Sequence, residues 1–175
     1  MNCTDYAAPL ARWWGTLDGN RGMRARLRRA RTPDDVYSLS EFHRGVIGYL
    51  QSGDNGQPVL ELPGGLVPEG DKPALAFVAG LLAQAPELDR LHFAARLAMV
   101  EQDRGGSGDF RFRRLIVVGD AETDALFAKL RRLIIYTRTA NVESLLYAAF
   151  HWNNDTRRKW AEKYYNPAPR KGDAS

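Results

Sequence analysis

The chain lacks several features that define whole classes of protein. Cys3 is the only cysteine among 175 residues, which excludes an intramolecular disulfide and a zinc site built from several cysteines. No uninterrupted apolar run approaches the roughly 18 residues that a membrane-spanning helix needs. The first residues, Met-Asn-Cys-Thr-Asp, lack a basic segment followed by an apolar core, so no secretory signal is expected. These absences favour a cytoplasmic protein without a membrane partner.

Motifs of catalysis are also scarce. The three histidines lie far apart and lack partners at the spacing of a helical metal site. The glycine-rich residues 63–70 lack the Gly-Lys-Ser/Thr ending of a phosphate-binding loop. The carboxylate pairs Asp34 with Asp35 and Glu122 with Asp124 do not repeat as a metal-binding set. The sequence therefore predicts a protein that is not an enzyme and that uses no metal, no cofactor and no small-molecule substrate.

Helical periodicity dominates the chain. Apolar residues recur three and four positions apart, which is typical of helices that bury one face. The only β-branched run, residues 115–118, lies within such a pattern. The predicted helices cover residues 8–17, 22–30, 71–82, 92–102, 109–118, 121–138, 142–152 and 155–165, with further starts near Thr32 and Ser40. Asp120, Asn141 and Asp155 are the expected N-caps of the last three. We therefore expect an all-α fold.

Two segments interrupt this pattern. Residues 51–70 contain five glycines and three prolines and are expected to form a long loop. Residues 104–108, Arg-Gly-Gly-Ser-Gly, have the composition of a flexible connection. The sequence therefore predicts two small helical bundles joined by a glycine-rich hinge, with an N-terminal helical lobe at 1–103 and a C-terminal bundle at 104–175.

Arginine is distributed unevenly. Lys and Arg number 25 and Asp and Glu 21, so the formal net charge is only +4. Placement matters more than this small excess. Six arginines and no acid fall within residues 21–31, and further basic clusters lie at 111–114, 129–132 and 157–159. A guanidinium group matches phosphate with several donors, so the clusters favour a polyanionic partner.

The first cluster is the most informative. Its predicted helix has an apolar stripe of Met23, Leu27 and Ala30. The flanks of that stripe are predicted to carry Arg21, Arg24, Arg28 and Arg31 on one side and Arg26 and Arg29 on the other. Like charges at this spacing repel each other, and a bound anion would remove the repulsion. The aromatic residues at helical spacing, by contrast, are expected to pack in the core rather than to stack on bases.

Taken together, the segments resemble the CasB family, the small subunit of the type I-E CRISPR surveillance complex called Cascade. The resemblance extends over nearly the whole length, in a constant order. It rests on Trp13-Trp14 with Leu17, RGMRARLRRA at 21–30, Phe42-His43-Arg44, RFRRLI at 111–116, LRRLI at 130–134, Trp152, and RRKWAEKYY at 157–165.

The resemblance implies a non-catalytic all-α protein that acts in antiviral defence. Its partners would be the large and backbone subunits of Cascade, a second copy of itself, CRISPR RNA, and target DNA with the displaced strand of the R-loop. Because base pairing reads the sequence in such complexes, phosphate contacts suffice. The motif matches assign nucleic-acid contacts to Arg28, Arg29, Arg44, Arg113, Arg114, Arg131, Arg132, Arg157 and Arg158. Arg24 joins this set from its predicted position on the helix face.

Two other functions remain open from the residues alone. A stand-alone helical DNA-binding regulator would need a helix-turn-helix whose second helix carries base-reading side chains, and no such pair is evident. An interaction scaffold would keep the fold but show no salt-dependent binding to nucleic acid.

Overall fold

Helices account for nearly all of the regular structure. A computed structural model describes residues 1–106 and 108–167. Within these residues ten α-helices follow one another. They are α1 (Ala7–Thr16), α2 (Arg21–Arg29), α3 (Pro33–Tyr37), α4 (Gly48–Ser52), α5 (Lys72–Leu82), α6 (Phe93–Asp103), α7 (Phe110–Ile116), α8 (Thr123–Thr137), α9 (Val142–His151) and α10 (Asn154–Tyr165).

Short irregular helices and two minimal strands complete the described part. A π-helix (Phe42–Ile47) leads directly into α4, where the sequence predicts one helix beginning near Ser40. The strands β1 (Glu87–Leu88) and β2 (Thr139–Ala140) pair in parallel. Four 3-10 turns lie at Cys3–Tyr6, Leu17–Gly19, Pro63–Gly65 and Glu69–Asp71. The prediction of an all-α fold is confirmed.

Helix α5 lies at the centre of the molecule. Every residue from Leu75 to Leu82 is buried, so the helix is covered on all sides rather than along one stripe. It packs against α2 and α3 from the first part of the chain and against α8 and α9 from the second. Gly80 permits this close approach, because a Cβ there would lie 2.7 Å from Val36 Cγ2 and 3.0 Å from Phe127 Cζ.

One hydrophobic core extends across the predicted boundary between lobes. The buried residues that contact one another run from Tyr6 to Tyr164 without a break at 103/104. The division into 1–103 and 104–175 stays a prediction, and any such lobes share this core within the described residues.

The first residues of the predicted hinge end helix α6. Gly105, at φ +66°, donates its N–H to the Gln102 carbonyl, and the N–H of Gly106 reaches back to the Glu101 carbonyl at 2.8 Å. This pair of hydrogen bonds is a Schellman motif, which ends α6 by satisfying two of its last carbonyls. Ser107 of the predicted hinge lies outside the described residues.

The N-caps only partly follow the sequence-based expectation. Asn141 caps α9 as predicted, its Oδ1 accepting the N–H of Ser144 at 2.8 Å. The expectation for Asp155 is wrong, because Asn153 caps α10 instead. The expectation for Asp120 is also wrong: α8 begins after Glu122, which makes no side-chain cap hydrogen bond to α8, and Asp120 pairs with an arginine of α10.

Limited proteolysis of the native chain is expected to cut first within residues 51–70 or near 104–108. Both segments lie mostly outside regular helices and expose most of their described residues, which favours cleavage. Because the core crosses 103/104, fragments cut there should stay associated until denatured. Mass spectrometry of the earliest fragments tests this, and a first cut within α8 would contradict it.

Candidate nucleic-acid interface

Helices α2 and α8 enclose an arginine-lined groove, here called the α2/α8 groove. Its volume is about 840 Å³. Positions 25, 28 and 29 of α2 and positions 128, 131, 132 and 135 of α8 face it, as three- and four-residue spacing allows. Its described lining contains five arginines and no carboxylate. The lining residues are Ala25, Arg28, Arg29, Arg31, Gln84, Ala128, Arg131, Arg132 and Ile135.

Hydrogen bonds to one backbone carbonyl link three of the residues that line this groove. Gln84 Nε2 and Arg131 Nη2 both donate to the carbonyl oxygen of Arg28, each at 3.0 Å. That carbonyl belongs to the last turn of α2, where intrahelical donors run out. The Nε of Arg131 is buried and has no hydrogen-bond partner in the described part of the chain.

A second groove, the α7/α8 groove, continues from the first. Its volume is about 300 Å³, and Arg132 lines both grooves. No carboxylate is among its described lining residues, which are Phe110, Arg111, Arg114, Lys129, Arg132, Leu133 and Tyr136. The two grooves therefore adjoin at Arg132 and together form a basic surface on α2, α8 and α7.

Aromatic rings contact two arginines of the α7/α8 groove and also Arg104, which lines neither groove. The guanidinium carbons of Arg104 and Arg111 each lie 4.3 Å from the ring centroid of Tyr136. The guanidinium of Arg114 lies 5.2 Å from the centroid of Phe110. Such cation–π contacts orient a guanidinium without consuming its hydrogen-bond donors. The donors stay available to an anion.

The structure brings half of the predicted site residues together. Arg28, Arg29, Arg131 and Arg132 line the α2/α8 groove, and Arg114 lines the α7/α8 groove. Helix α2 ends at Arg29, so Arg31 enters the groove from the following turn rather than from a helix flank. Arg28 and Arg29 face the same groove, although the sequence predicts them on opposite flanks.

The other predicted residues lie elsewhere or have carboxylate partners. Arg24 donates to Asp18 at 2.9 Å and to the carbonyl of Ala85 at 2.8 Å, and its side chain is 19% exposed. Arg113, Arg157 and Arg158 form ion pairs with Asp109, Asp120 and Asp155. Arg44 is exposed on the π-helix and lines neither groove.

Three cations of the basic surface are missing from the sequence-based site: Arg31, Arg111 and Lys129. Their clusters are visible in the sequence, but motif matching selects only their neighbours. The spacing of Lys129, Arg132 and Tyr136 along α8, three and four residues apart, is a sign that could have found one of them. Arg31 lies on the predicted basic flank with Arg24 and Arg28, and Arg111 lies in the predicted 111–114 cluster, but no motif match selects either.

A separate cavity of about 610 Å³ lies between α6, α9 and α10. Its lining mixes charges, with Arg90, Lys159 and Lys163 beside Glu143 and Asp155, so it does not favour a polyanion. His92, also in the lining, caps α6 by accepting the N–H of Ala94 at Nδ1. Burial, together with the charges of Lys159 and Lys163, lowers the pKa of His92 to about 4.

Among residues 1–106 and 108–167, no three side chains of His, Cys, Asp or Glu come together as a metal site. None of the helices in that part of the chain has the length and apolar character that crossing a bilayer requires.

The fold and the two grooves define an all-α protein with a basic surface formed by two adjoining grooves. Comparison with protein families gives a match to the CRISPR-associated protein Cse2 over residues 23–165, a range that includes α3 to α10, most of α2 and all ten predicted site residues. The chain therefore belongs to the Cse2 family, also called CasB, the small subunit of the type I-E CRISPR Cascade complex. No match was found among curated proteins or among solved structures.

Arg24 and Arg29, although close on α2, are expected to differ in their effect on folding. Arg24→Ala should lower the free energy of unfolding by about 1.5–3 kcal/mol, because it removes charged hydrogen bonds to carbonyls beyond α5. Arg29→Ala should change it by no more than about 0.5 kcal/mol, as for an exposed side chain. Urea unfolding followed by circular dichroism measures both. Equal decreases would contradict this division between structural and groove arginines.

His92 is expected to make stability depend on pH. Its pKa is about 4 in the folded protein and near 6.5 when unfolded, so the unfolded chain binds the proton more readily between these values. Stability should therefore be complete above about pH 6.5 and fall as the pH drops towards 4. His92→Asn keeps a side-chain cap but cannot titrate. The free energy of unfolding of this variant should decline less than that of the natural chain between these pH values, and parallel declines would refute the assignment.

Proposed function

We propose that the α2/α8 and α7/α8 grooves bind the phosphate backbone of a nucleic-acid strand within Cascade. The strand is part of the guide RNA and target DNA assembly, with the displaced strand of the R-loop as the main candidate. Binding is independent of sequence, because guanidinium contacts to phosphates position a strand without reading its bases. By this contact the subunit stabilises the R-loop in antiviral defence.

The charged side chains that line the two grooves are all cationic, and this observation supports the proposal most strongly. Eight cationic side chains line them, and no carboxylate is found among their described lining residues: Arg28, Arg29, Arg31, Arg111, Arg114, Lys129, Arg131 and Arg132. Elsewhere the chain places acids against its arginines, as with Arg24 and Arg157. Concentrated like charge raises the free energy of the unbound surface and focuses a potential that attracts a polyanion.

The proposal assigns binding and no reaction to this surface. Phosphodiester hydrolysis by metal ions requires carboxylates that hold Mg²⁺, and neither groove has one among its described lining residues. The partners proposed for the subunit are the large and backbone subunits of Cascade, a second copy of this chain, CRISPR RNA and target DNA. A stand-alone regulator gains no support, since the helix after α2 has only five residues and begins at the buried Pro33.

The test replaces Arg29 and Arg132, two groove arginines whose side chains make no described hydrogen bond within the protein. Cascade reconstituted with Arg29→Ala/Arg132→Ala is expected to bind target DNA more weakly, because two guanidinium groups no longer neutralise phosphates. The slope of log affinity against log salt should fall by about 0.7 for each guanidinium removed from a single strand. Arg131 is kept, since it also supports α2 through the Arg28 carbonyl. Target binding is measured over a series of salt concentrations.

A matched control removes the same charge from outside the grooves. Arg12→Ala/Arg90→Ala deletes two arginines that line neither groove and should leave the salt slope unchanged. The weakening in the groove variant should be similar for displaced strands of different sequence. An unchanged slope in a folded Arg29→Ala/Arg132→Ala variant would overturn the proposed function.

A further inference from the structure

Phe110 is an exposed aromatic side chain within the basic surface. It is 61% exposed, whereas Phe42, Phe77, Phe93, Phe112 and Phe127 are at most 1% exposed and Phe150 is partly buried. A Phe side chain left in water forgoes the free energy that burial of its ring would supply. The guanidinium of Arg114 lies 5.2 Å from the centroid of its ring. The ring is therefore left open in the α7/α8 groove, beside four cations.

The position of this ring fits a nucleotide better than an apolar partner. Phe110 shares its groove with Arg111, Arg114, Lys129 and Arg132, so an apolar protein surface placed there would desolvate these charges. A nucleotide presents an aromatic face and a phosphate together, which matches one ring surrounded by cations. Arginine planes add to this, because guanidinium groups also stack on bases.

Because the two grooves adjoin, one nucleic-acid strand can occupy both. Arg132 lines both, so a strand whose backbone contacts Arg28 and Arg29 can extend past Arg132 to Phe110. The bases of a duplex are stacked on each other inside the helix and cannot reach a protein ring. An unpaired strand turns its bases outward, and stacking on an aromatic side chain is tolerant of sequence.

We propose that Phe110, with Arg114 behind it, is a stacking site for an unpaired base of the strand whose phosphates lie in the two grooves. This inference rests on the proposed function and narrows it: the ligand class is single-stranded nucleic acid with accessible bases. Phe110 supplies the stacking surface, while Arg29 and Arg132 supply phosphate contacts.

The experiment measures the contribution of the bases to binding separately from that of the phosphates. The full chain is titrated at low salt with two fluorescent oligonucleotides of equal length, one of thymidine and one of abasic tetrahydrofuran units. Both carry the same phosphates, so any preference for thymidine measures stacking. The natural chain should bind the thymidine strand about tenfold more tightly, as expected for one stacked base.

Three variants assign that preference to its residues. Phe110→Leu should abolish it and leave abasic binding and the salt slope unchanged, because an apolar side chain remains without an aromatic face. Phe110→Trp should keep it, since the larger ring also stacks. Arg29→Ala/Arg132→Ala should weaken binding of both strands equally and keep the preference. Circular dichroism verifies folding, and the exposure of Phe110 makes its replacement tolerable.

Each result has a distinct consequence. Equal affinity of the natural chain for the two strands, or a preference that survives in Phe110→Leu, overturns the stacking site and leaves the phosphate role of the grooves intact. Absence of binding of the free chain to either strand overturns the stacking site, whereas the proposed function is overturned only by an unchanged salt slope in Cascade reconstituted with Arg29→Ala/Arg132→Ala.

Discussion

The complete burial of α5 constrains where the other helices can lie. Because this helix has no solvent-facing side from Leu75 to Leu82, other helices must cover it on all sides, including α2 and α8. Gly80 allows Phe127 of α8 to approach closely. Gln84, just past the end of α5, holds the last turn of α2 through the Arg28 carbonyl. The arginine-rich helices are thereby placed beside one another, and the groove between them is a consequence of core packing.

Charge pairing divides the arginines into two groups. Arg24 and Arg157 are partly buried, reach backbone carbonyls and face carboxylates, so they join segments of the fold. Those in the grooves have no acid among the described lining residues and lie instead beside other cations and aromatic rings. The first group stabilises the protein with its own acids, whereas the second is most favourable when an external anion is present. Membership of the Cse2 family makes the chain a Cascade subunit, and the nucleic acid that we propose as its partner would supply such an anion.

Much of the helical framework could be predicted from the sequence, because helix formation is governed by neighbours three and four residues away. The Thr32 and Asn141 caps and the extent of α5 and α6 follow from such local patterns. The two wrong cap predictions have different reasons. Asn153, a neighbouring candidate, caps α10 instead of Asp155, whereas Asp120 forms an ion pair with Arg157 on another helix.

The sequence alone determines the all-α fold, the helical spacing of the arginines and the family, because periodicity and motif order are properties of the amino-acid sequence. Which arginines act together, in contrast, depends on tertiary packing. The contact between Arg131 and the Arg28 carbonyl joins positions 103 residues apart. Arg24 lines neither groove and instead donates to Asp18 and to the carbonyl of Ala85, which is 61 residues away. Such contacts depend on how helices pack around α5, and the packing of distant segments leaves no periodic trace in the sequence.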